Sequence, residues 1–275
     1  MNCQCVRIAV HLKAGDLMKS MLQLFGSVFA VGMIWAAPTQ AALVGYWNFD
    51  EPAGDIAFDV TGNGNDGIIL GATRVPGIAG GALFFDGNSE VFIDNNEVLN
   101  FVGSMQMTAM GWYNPSGDPT GACCGYIVGQ RQAATWSLRD DRRDPNQLEM
   151  LVSPAFQGDG GGDGVQRPPL GEWHHIAAVI DKPDVRMYVD GVLMSEYTVD
   201  GAPLAGSGTP TRIGGSLAID GGTVGLIDEV KIFDHALTQE EIEAAMTFIP
   251  EPTTFALAAI GLCGLIGFTR RRRRK

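Results

Sequence analysis

The loop from Asp59 to Gly67 brings together the residue types that bind a hard divalent cation. Its sequence, DVTGNGNDG, supplies carboxylate, side-chain amide and backbone oxygens, and its glycines permit tight curvature. Calcium takes about six to eight oxygen ligands of these kinds. The loop lacks the spacing and the terminal glutamate of an EF-hand. We therefore predict one of two structures here: a calcium-binding loop, or a cluster of Asn-Gly turns whose polar groups satisfy one another.

Aromatic side chains are the second set that could bind a ligand, because sugars bind to aromatic surfaces beside a few polar groups. Four of them fall in predicted loops or at predicted strand ends: Trp112, Tyr113, Tyr126 and Trp136. Large aromatics also commonly fill the core of a β-sandwich. The same four residues are therefore predicted either as an exposed sugar platform or as core.

The elements that must position these residues are short strands. Runs of β-branched and aromatic residues alternate with Gly, Asn and Asp over residues 42–249, which is long enough for one sandwich domain. Thr238 and Glu241 form a capping box that predicts one short helix ending near Met246. Examples of predicted strands are Val44–Phe49, Ala82–Phe85, Glu90–Ile93, Met107–Tyr113, Tyr126–Gly129, Gln147–Val152, His174–Ile180, Val185–Val189 and Val230–Phe233.

The C-terminal residues have the order of a sorting signal. Pro250, Glu251 and Pro252 precede an uncharged run over residues 253–269, and residues 270–275 are all basic. The run is near the lower limit for a transmembrane helix, about 17 to 25 residues, and the basic cluster would stay on the cytoplasmic side. The segment resembles the PEP-CTERM signal, which implies recognition by an exosortase and removal of the tail. The alternative is an ordinary tail anchor, and both export the body of the chain.

The N-terminal residues predict a secretory signal peptide. A charged start at Met18–Ser20, an apolar stretch at Met21–Ala37 and small residues at Thr39–Ala41 have the order that signal peptidase requires. We take Met18 as the true start. The predicted domains are a leader over 1–41 with a signal helix, a body over 42–249, and a sorting signal over 250–275 with a transmembrane helix.

Removal of both ends makes the body strongly acidic. Of 19 basic residues, three lie in the leader and six lie in the tail, which leaves 10 in the body. Of 31 acidic residues, one lies in the leader and one lies in the tail, which leaves 29 in the body. The net charge of the body is then −19 instead of −12. Such a surface repels phosphate backbones and anionic lipids, so nucleic-acid binding is disfavoured. Cys123 and Cys124 alone remain in the body, and a vicinal disulfide, an intermolecular disulfide and two free thiols all stay open.

Six motifs of the body resemble the concanavalin A-like jelly roll of the LamG/pentraxin type. The resemblance implies an all-β fold of two antiparallel sheets packed as a sandwich. It implies little about activity, because the fold serves lectins, adhesion modules and appendages of glycosidases. The motifs are GYWNFDE at 45–51, DVTGNGNDG at 59–67, ALFFDGN at 82–88, EWHHIAAVID at 172–181, VRMYVDGV at 185–192 and LIDEVKIFDHALTQEEI at 226–242.

The same resemblance implies how calcium would be held. In this family, loops such as the one at 59–67 often bind a structural calcium ion together with acidic residues of neighbouring strands. Alternation with Val230 and Ile232 predicts that Asp228 is buried. The alternative is that backbone amides satisfy Asp228. The predicted ligands are Asp50, Asp59, Asn63, Asn65 and Asp228.

The sequence gives no support for catalysis. Glucanases that share this fold place carboxylates at i, i+2 and i+4 of one strand, so that they lie on one face. Glu90 and Asp94 have Phe92 between them, and Asp228 and Glu229 are adjacent and point to opposite faces. Four histidines provide no spaced set of metal ligands.

The predicted function is therefore non-enzymatic. We expect an exported surface or extracellular protein of a Gram-negative bacterium that binds polysaccharide or matrix, with signal peptidase and exosortase as processing partners. The alternative is a structural or protein-adhesion module without a sugar site, and a polysaccharide-active enzyme is the third possibility.

Overall fold

The computed structural model describes residues 42–121, 124–130, 136–142, 147–152, 164–206, 208–215 and 222–247. The chain divides into two compact units, Met1–Gln40 and Ala41–Lys275, and every described residue belongs to the second. The predicted signal helix and the predicted transmembrane helix lie outside the described residues. Within those residues, no helix has the length and apolar character needed to cross a bilayer.

The described part of the chain folds into short strands and two short helices. The helices are α1 (Glu97–Asn100) and α2 (Gln239–Met246). The strands are β1 (Leu43–Trp47), β2 (Ile56–Ala57), β3 (Gly67–Leu70), β4 (Thr73–Pro76), β5 (Gly81–Asp86), β6 (Glu90–Ile93), β7 (Gln106–Pro115), β8 (Cys124–Gln130), β9 (Trp136–Asp141), β10 (Gln147–Val152), β11 (Val165–Gln166), β12 (His174–Asp181), β13 (Asp184–Val189), β14 (Val192–Thr198), β15 (Thr211–Ile213) and β16 (Val224–Phe233).

The strands form two sheets, and every pairing is antiparallel. We call them sheet A and sheet B. Sheet A has the order β14-β13-β12-β7-β16-β5-β4, with β1 paired to β16. Sheet B has the order β11-β10-β9-β8-β15-β6-β3-β2. Neighbours that are far apart in sequence, such as β7 and β16, are the crossovers of a jelly roll. The prediction of a two-sheet antiparallel sandwich is confirmed.

The core lies between the two sheets, because alternate residues of each strand point inward. Sheet A contributes Trp47 and Leu83, and sheet B contributes Ile127, Trp136 and Leu138, all of which are buried. Burial of each large apolar side chain contributes about 1.5 to 3 kcal/mol. The core therefore fixes the register of the strands that carry the polar residues discussed below.

The outer face of sheet A is covered by α2. Ile242 of this helix packs with Leu237, Met110 and Tyr188 in a second apolar cluster. The predicted capping box is confirmed: the Thr238 side chain accepts a hydrogen bond from the Glu241 amide, and the Glu241 carboxylate accepts one from the Thr238 amide.

A β-bulge in β16 changes which face Asp228 occupies. Asp228 pairs with Trp112 and Lys231 pairs with Met110, and the register shifts between the two pairs. Trp112 and Met110 lie two residues apart in β7 and share a face, so Asp228 and Lys231 also share the outer face of sheet A. The predicted burial of Asp228 is confirmed. Its predicted face is wrong, because the extra residue of the bulge places it opposite to Val230.

Candidate functional site

The Asp228 carboxylate is the most perturbed acid near the predicted calcium ligands. Its Oδ2 accepts hydrogen bonds from the amides of Ile78 (3.0 Å) and Ala79 (3.2 Å), and its Oδ1 accepts one from Glu229 (2.7 Å). Burial raises its pKa from 3.8 to about 7, and the negative charges of Glu229 and Asp50 add to the rise. The site therefore has a surplus of negative charge when Asp228 is ionised.

The turn between β4 and β5 joins Asp228 to Asp50. The amide of Gly81 donates to Asp50 Oδ1 (2.7 Å), and the side-chain amide of Asn48 donates to Oδ2 (3.0 Å). A Cβ on Gly80 would lie 1.9 Å from Asp50 Oδ1, and one on Gly77 would lie 2.4 Å from Asp228 Oδ2. Only glycine lets this turn approach both carboxylates. The result is a cradle of hard oxygens, which we call the Asp50/Asp228 cradle.

Backbone strain lies on both sides of the cradle. Phe49, directly before Asp50, has φ +53°, and Glu229, directly after Asp228, has the same value. A left-handed conformation in residues other than glycine costs about 1 to 3 kcal/mol and collects at functional sites. Tyr46 Oη donates to Glu229 Oε2 (2.7 Å), and Lys231 Nζ lies 3.2 Å from the same oxygen. These contacts hold Glu229 in its strained position.

The loop at 59–67 forms a separate hydrogen-bonded group. Asp59 Oδ1 accepts hydrogen bonds from the Tyr46 amide (3.1 Å), the Thr61 amide (3.0 Å) and the Thr61 hydroxyl (2.6 Å). Its Oδ2 accepts from the amide (3.2 Å) and the side-chain amide (2.9 Å) of Asn65. Asn63 and Asn65 both donate to the carbonyl oxygen of Val44.

The number of donors on each carboxylate distinguishes the two groups. A carboxylate has about four lone-pair positions. Asp59 already accepts five hydrogen bonds, whereas among the described residues Asp228 accepts three and Asp50 accepts two. The geometry favours the turn interpretation for the loop at 59–67. Asp50 and Asp228 keep more lone-pair positions available than Asp59 does. All three donors on Asp228 are backbone amides, as the alternative for this residue predicts.

Three of the four predicted platform aromatics are not exposed. Tyr113 and Trp136 belong to the core between the sheets, where alternation along β7 and β9 places them. Tyr126 pairs with Arg139 and is also buried. The expectation of exposed platforms at these three residues is corrected. Trp112 is half-buried on the outer face of sheet A, with its ring edge-on to His175 at 5.6 Å.

Burial also sets the state of His175. Desolvation lowers the pKa of its imidazole from 6.5 to about 3, and the charge of Lys231 adds to this effect. Its Nδ1 has no hydrogen-bond partner among the described residues. The imidazole is therefore neutral at physiological pH.

A polar cleft opens between the loop at 59–67 and the connection from β6 to α1. Its volume is about 580 Å³. Ile93 is buried at its base and Val98 is exposed, whereas the polar lining is carboxylates and amides. The Asn96 side-chain amide donates to Asn65 Oδ1 (2.6 Å), which ties the two walls together. The lining residues are Gly64, Asp66, Ile93, Asp94, Asn95, Asn96, Glu97 and Val98.

A buried carboxylate pair was missed by the sequence reasoning. Glu149 of β10 and Asp141 of β9 lie on one face of sheet B, where Arg139 Nη2 is 2.6 Å from Glu149 Oε1 and 3.5 Å from Asp141 Oδ2. Burial, followed by the hydrogen bond with Asp141, raises the pKa of Glu149 to about 7. A search within single strands could not find the pair, because its members come from two strands.

Cys124 lies beside this pair. In the described part of the chain, Cys124, Asp141 and Glu149 form one group of potential metal ligands whose atoms lie within 4.8 Å of one another. Cys124 is disulfide-bonded, so its sulfur is not a thiolate ligand, and Arg139 already pairs with both carboxylates. The donor set does not fit a cation in this state.

The two antiparallel sheets and their crossovers define a jelly-roll domain. A Laminin_G_3 model, described as concanavalin A-like lectin/glucanases superfamily, matches residues 85–243. The chain belongs to this family. A second model, for the PEP-CTERM protein-sorting motif, matches residues 248–274. The predicted sorting signal is confirmed and implies export through an exosortase-type system, although Pro250, Glu251 and Pro252 lie outside the described residues.

Solved structures with the same fold share little sequence with this chain. Domain 4 of AbnA, a GH43 extracellular arabinanase from Geobacillus stearothermophilus, in complex with arabinotriose, has 23% identity and a TM-score of 0.53 over 75% of this chain and 99% of its own. The binding domain of Paraclostridial Mosquitocidal Protein 1 has 16% identity and a TM-score of 0.55 over 74% of this chain and 51% of its own. Trypanosoma rangeli sialidase has 19% identity and a TM-score of 0.56 over 83% of this chain and 38% of its own. No curated protein matches the sequence.

Proposed function

We propose that the protein is an exported, non-enzymatic carbohydrate-binding module with a structural calcium ion. The observation that carries the proposal is the polar cleft. A volume of about 580 Å³ lies within the range of ligand sites, roughly 300 to 1,000 Å³. Carboxylate and amide side chains beside an apolar base match the hydroxyls and the C–H faces of a sugar. The AbnA domain, which was solved with arabinotriose, makes neutral oligosaccharides the first probes.

The charge of the cleft favours neutral or amino-containing glycans. Asp66, Asp94 and Glu97 contribute carboxylates, and the lining contains no lysine, arginine or histidine. Like charges at short range disfavour binding. Uronic-acid and sulfated glycans should therefore bind more weakly than neutral ones, and the difference should shrink at high salt.

The Asp50/Asp228 cradle is the proposed calcium site. It supplies two carboxylates whose oxygens are hard donors, in a turn that admits only glycine at Gly77 and Gly80. The positive charge of a bound ion would offset the surplus negative charge that raises the pKa of Asp228. Asp50 and Asp228 would hold the ion, and the turn between β4 and β5 would keep the two carboxylates in place. The ion would neutralise their charge and make the turn more rigid.

The buried carboxylate pair supports a non-enzymatic role. Asp141 and Glu149 are buried and paired with Arg139, so a polysaccharide has no access to them in this structure. A glycosidase needs both carboxylates in contact with the scissile bond. We therefore expect no release of reducing ends from polysaccharides above a heat-inactivated control. Release that is lost in Glu149→Gln would contradict this expectation.

A glycan array followed by titration calorimetry tests the binding proposal. We expect Asp94→Ala and Glu97→Ala each to weaken binding about tenfold, because each removes hydrogen bonds to a charged acceptor. Glu196→Ala is the matched control, since Glu196 is also an exposed carboxylate but lies on β14 of the other sheet. If no glycan binds, or if all three variants bind like the parent protein, the cleft is not a sugar site and the protein-adhesion function is preferred.

A further inference from the structure

We infer that Asn63 is a site of spontaneous deamidation, a covalent change that alters the wall of the cleft. Asn63-Gly64 is the single Asn-Gly step in the 275-residue sequence. Both residues are exposed. A Cβ on Gly64 would meet nothing within 4 Å, so the space beside its Cα is open. The absence of a side chain on the following residue removes the main steric barrier to ring closure at an asparagine.

The reaction needs only the chain and water. The backbone nitrogen of Gly64 attacks Cγ of Asn63, and a C–N bond forms while the bond from Cγ to Nδ2 breaks. Nδ2 leaves as ammonia and takes up the proton that the backbone nitrogen loses. Water then opens the five-membered succinimide at either carbonyl, which yields aspartate or isoaspartate. No oxidant or reductant takes part.

The backbone around Asn63 has the freedom that ring closure requires. Gly62 has φ +75° and Gly64 has φ +81°, and a Cβ on Gly62 would also meet nothing within 4 Å. Within the described ranges, no group accepts a hydrogen bond from the Gly64 amide. The attacking nitrogen is therefore not held in the wrong position by a competing hydrogen bond.

One contact opposes the reaction, and its strength sets the expected rate. The Asn63 side-chain amide donates to the Val44 carbonyl oxygen at 3.1 Å. Asn65 gives the internal comparison: it is buried, its amide donates to Val44 (2.9 Å) and to Asp59 (2.9 Å), and its Oδ1 accepts from Asn96. The side-chain amide of Asn63 makes one hydrogen bond, whereas the side chain of Asn65 makes three. Asn65 also precedes an aspartate instead of a glycine.

The product changes the cleft. The new carboxylate loses the hydrogen bond to Val44 and adds a negative charge to the loop that supplies Gly64 and Asp66 to the cleft. In the isoaspartate form the backbone gains one methylene directly before Gly64, which lines the cleft. Asn65 keeps its own bond to Val44, so the fold is retained while the loop shifts.

Peptide mapping by mass spectrometry tests the inference on the purified protein, folded or in denaturing urea, during incubation at mildly alkaline pH. We expect Asn63 to convert about fivefold more slowly in the folded protein than in urea, the factor that corresponds to one ordinary hydrogen bond. Asn65 should convert in urea alone. An Asn63→Gln variant should remain unmodified at this position. If folded Asn63 stays intact while it converts readily in urea, or converts no faster than folded Asn65, the inference is wrong.

Discussion

Replacement of Asp228 by asparagine should remove a large pH dependence of stability. The rise in the pKa of Asp228 from 3.8 to about 7 corresponds to about 4 kcal/mol of free energy of unfolding. Because the pKa is higher in the folded state than in the unfolded chain, the folded protein binds the additional proton. This contribution is complete below about pH 4 and is lost as the pH rises to about 7. In the absence of metal, the contribution of Asp228 to the free energy of unfolding should therefore be about 4 kcal/mol smaller at pH 8 than at pH 4.

The asparagine variant removes the buried charge but introduces a buried NH₂ group without an acceptor. Its amide oxygen can still accept the hydrogen bonds of Ile78 and Ala79, but its NH₂ group then faces the Glu229 amide. A buried donor without a partner costs about 1 to 3 kcal/mol. Asp228→Asn should thus be less stable than the parent at acid pH and should lose less stability as the pH rises.

Calcium should stabilise the parent protein but not the Asp228→Asn variant. An ion that binds only the folded state stabilises it by about 2.7 kcal/mol at a hundredfold excess over Kd. Magnesium should substitute poorly, because it demands a compact octahedron of ligands. Urea unfolding followed by circular dichroism, in calcium or EDTA at acid and alkaline pH, measures each effect. Asp55→Asn is the control, since it removes a charge from an exposed residue.

Two results would refute this reasoning. Equal urea midpoints in calcium and in EDTA for the parent protein at alkaline pH would remove the calcium site. An equal calcium effect in Asp228→Asn would show that the ion binds elsewhere. In either case, the number of donors on Asp50 and Asp228 would no longer be a guide to the metal ligands.

Four further predictions concern other parts of the molecule. Asp59→Asn should destabilise the protein by about 1 to 3 kcal/mol, because Asp59 accepts hydrogen bonds at all of its lone-pair positions. It should not change the effect of calcium on the urea midpoint. Loss of the calcium effect in this variant would show that the loop at 59–67 binds the ion. Trp136→Ala should cost about 3 to 5 kcal/mol in urea unfolding, because Trp136 is in the core, whereas Leu170→Ala at an exposed position should change stability by less than about 0.5 kcal/mol. His175 should show no titration of its ring resonances by NMR between pH 7.5 and roughly pH 5, because its pKa is about 3; a midpoint near 6.5 would show that the ring is solvated. The intact mass of the protein from its native host should lack residues 270–275, and their presence would favour a simple tail anchor.

The strand pattern was readable from the sequence because it is local. Runs of β-branched and aromatic residues between Gly, Asn and Asp marked all nine example strands, and each lies in an observed strand except that β1 ends at Trp47, before the predicted end at Phe49. The capping box of α2 was equally local, since both partners lie within one turn. The strands β2, β3, β4, β9, β11, β14 and β15 were not named. Most of them are short, lie at sheet edges or carry exposed residues, whereas β9 is buried along its whole length.

The sequence by itself determined the jelly-roll class, the sorting signal and the acidic body, because strand periodicity, motif order and charge are properties of the chain in one dimension. Tertiary structure decided which polar groups meet. The bulge at Glu229 set the face of Asp228, the turn at Gly77–Gly81 joined Asp228 to Asp50, and pairing of β9 with β10 brought Asp141 to Glu149. Alternation shows that a residue has an inner or outer side, but not which strand lies beside it. That choice depends on long-range pairing and on bulges, which are set by the packing of the whole core.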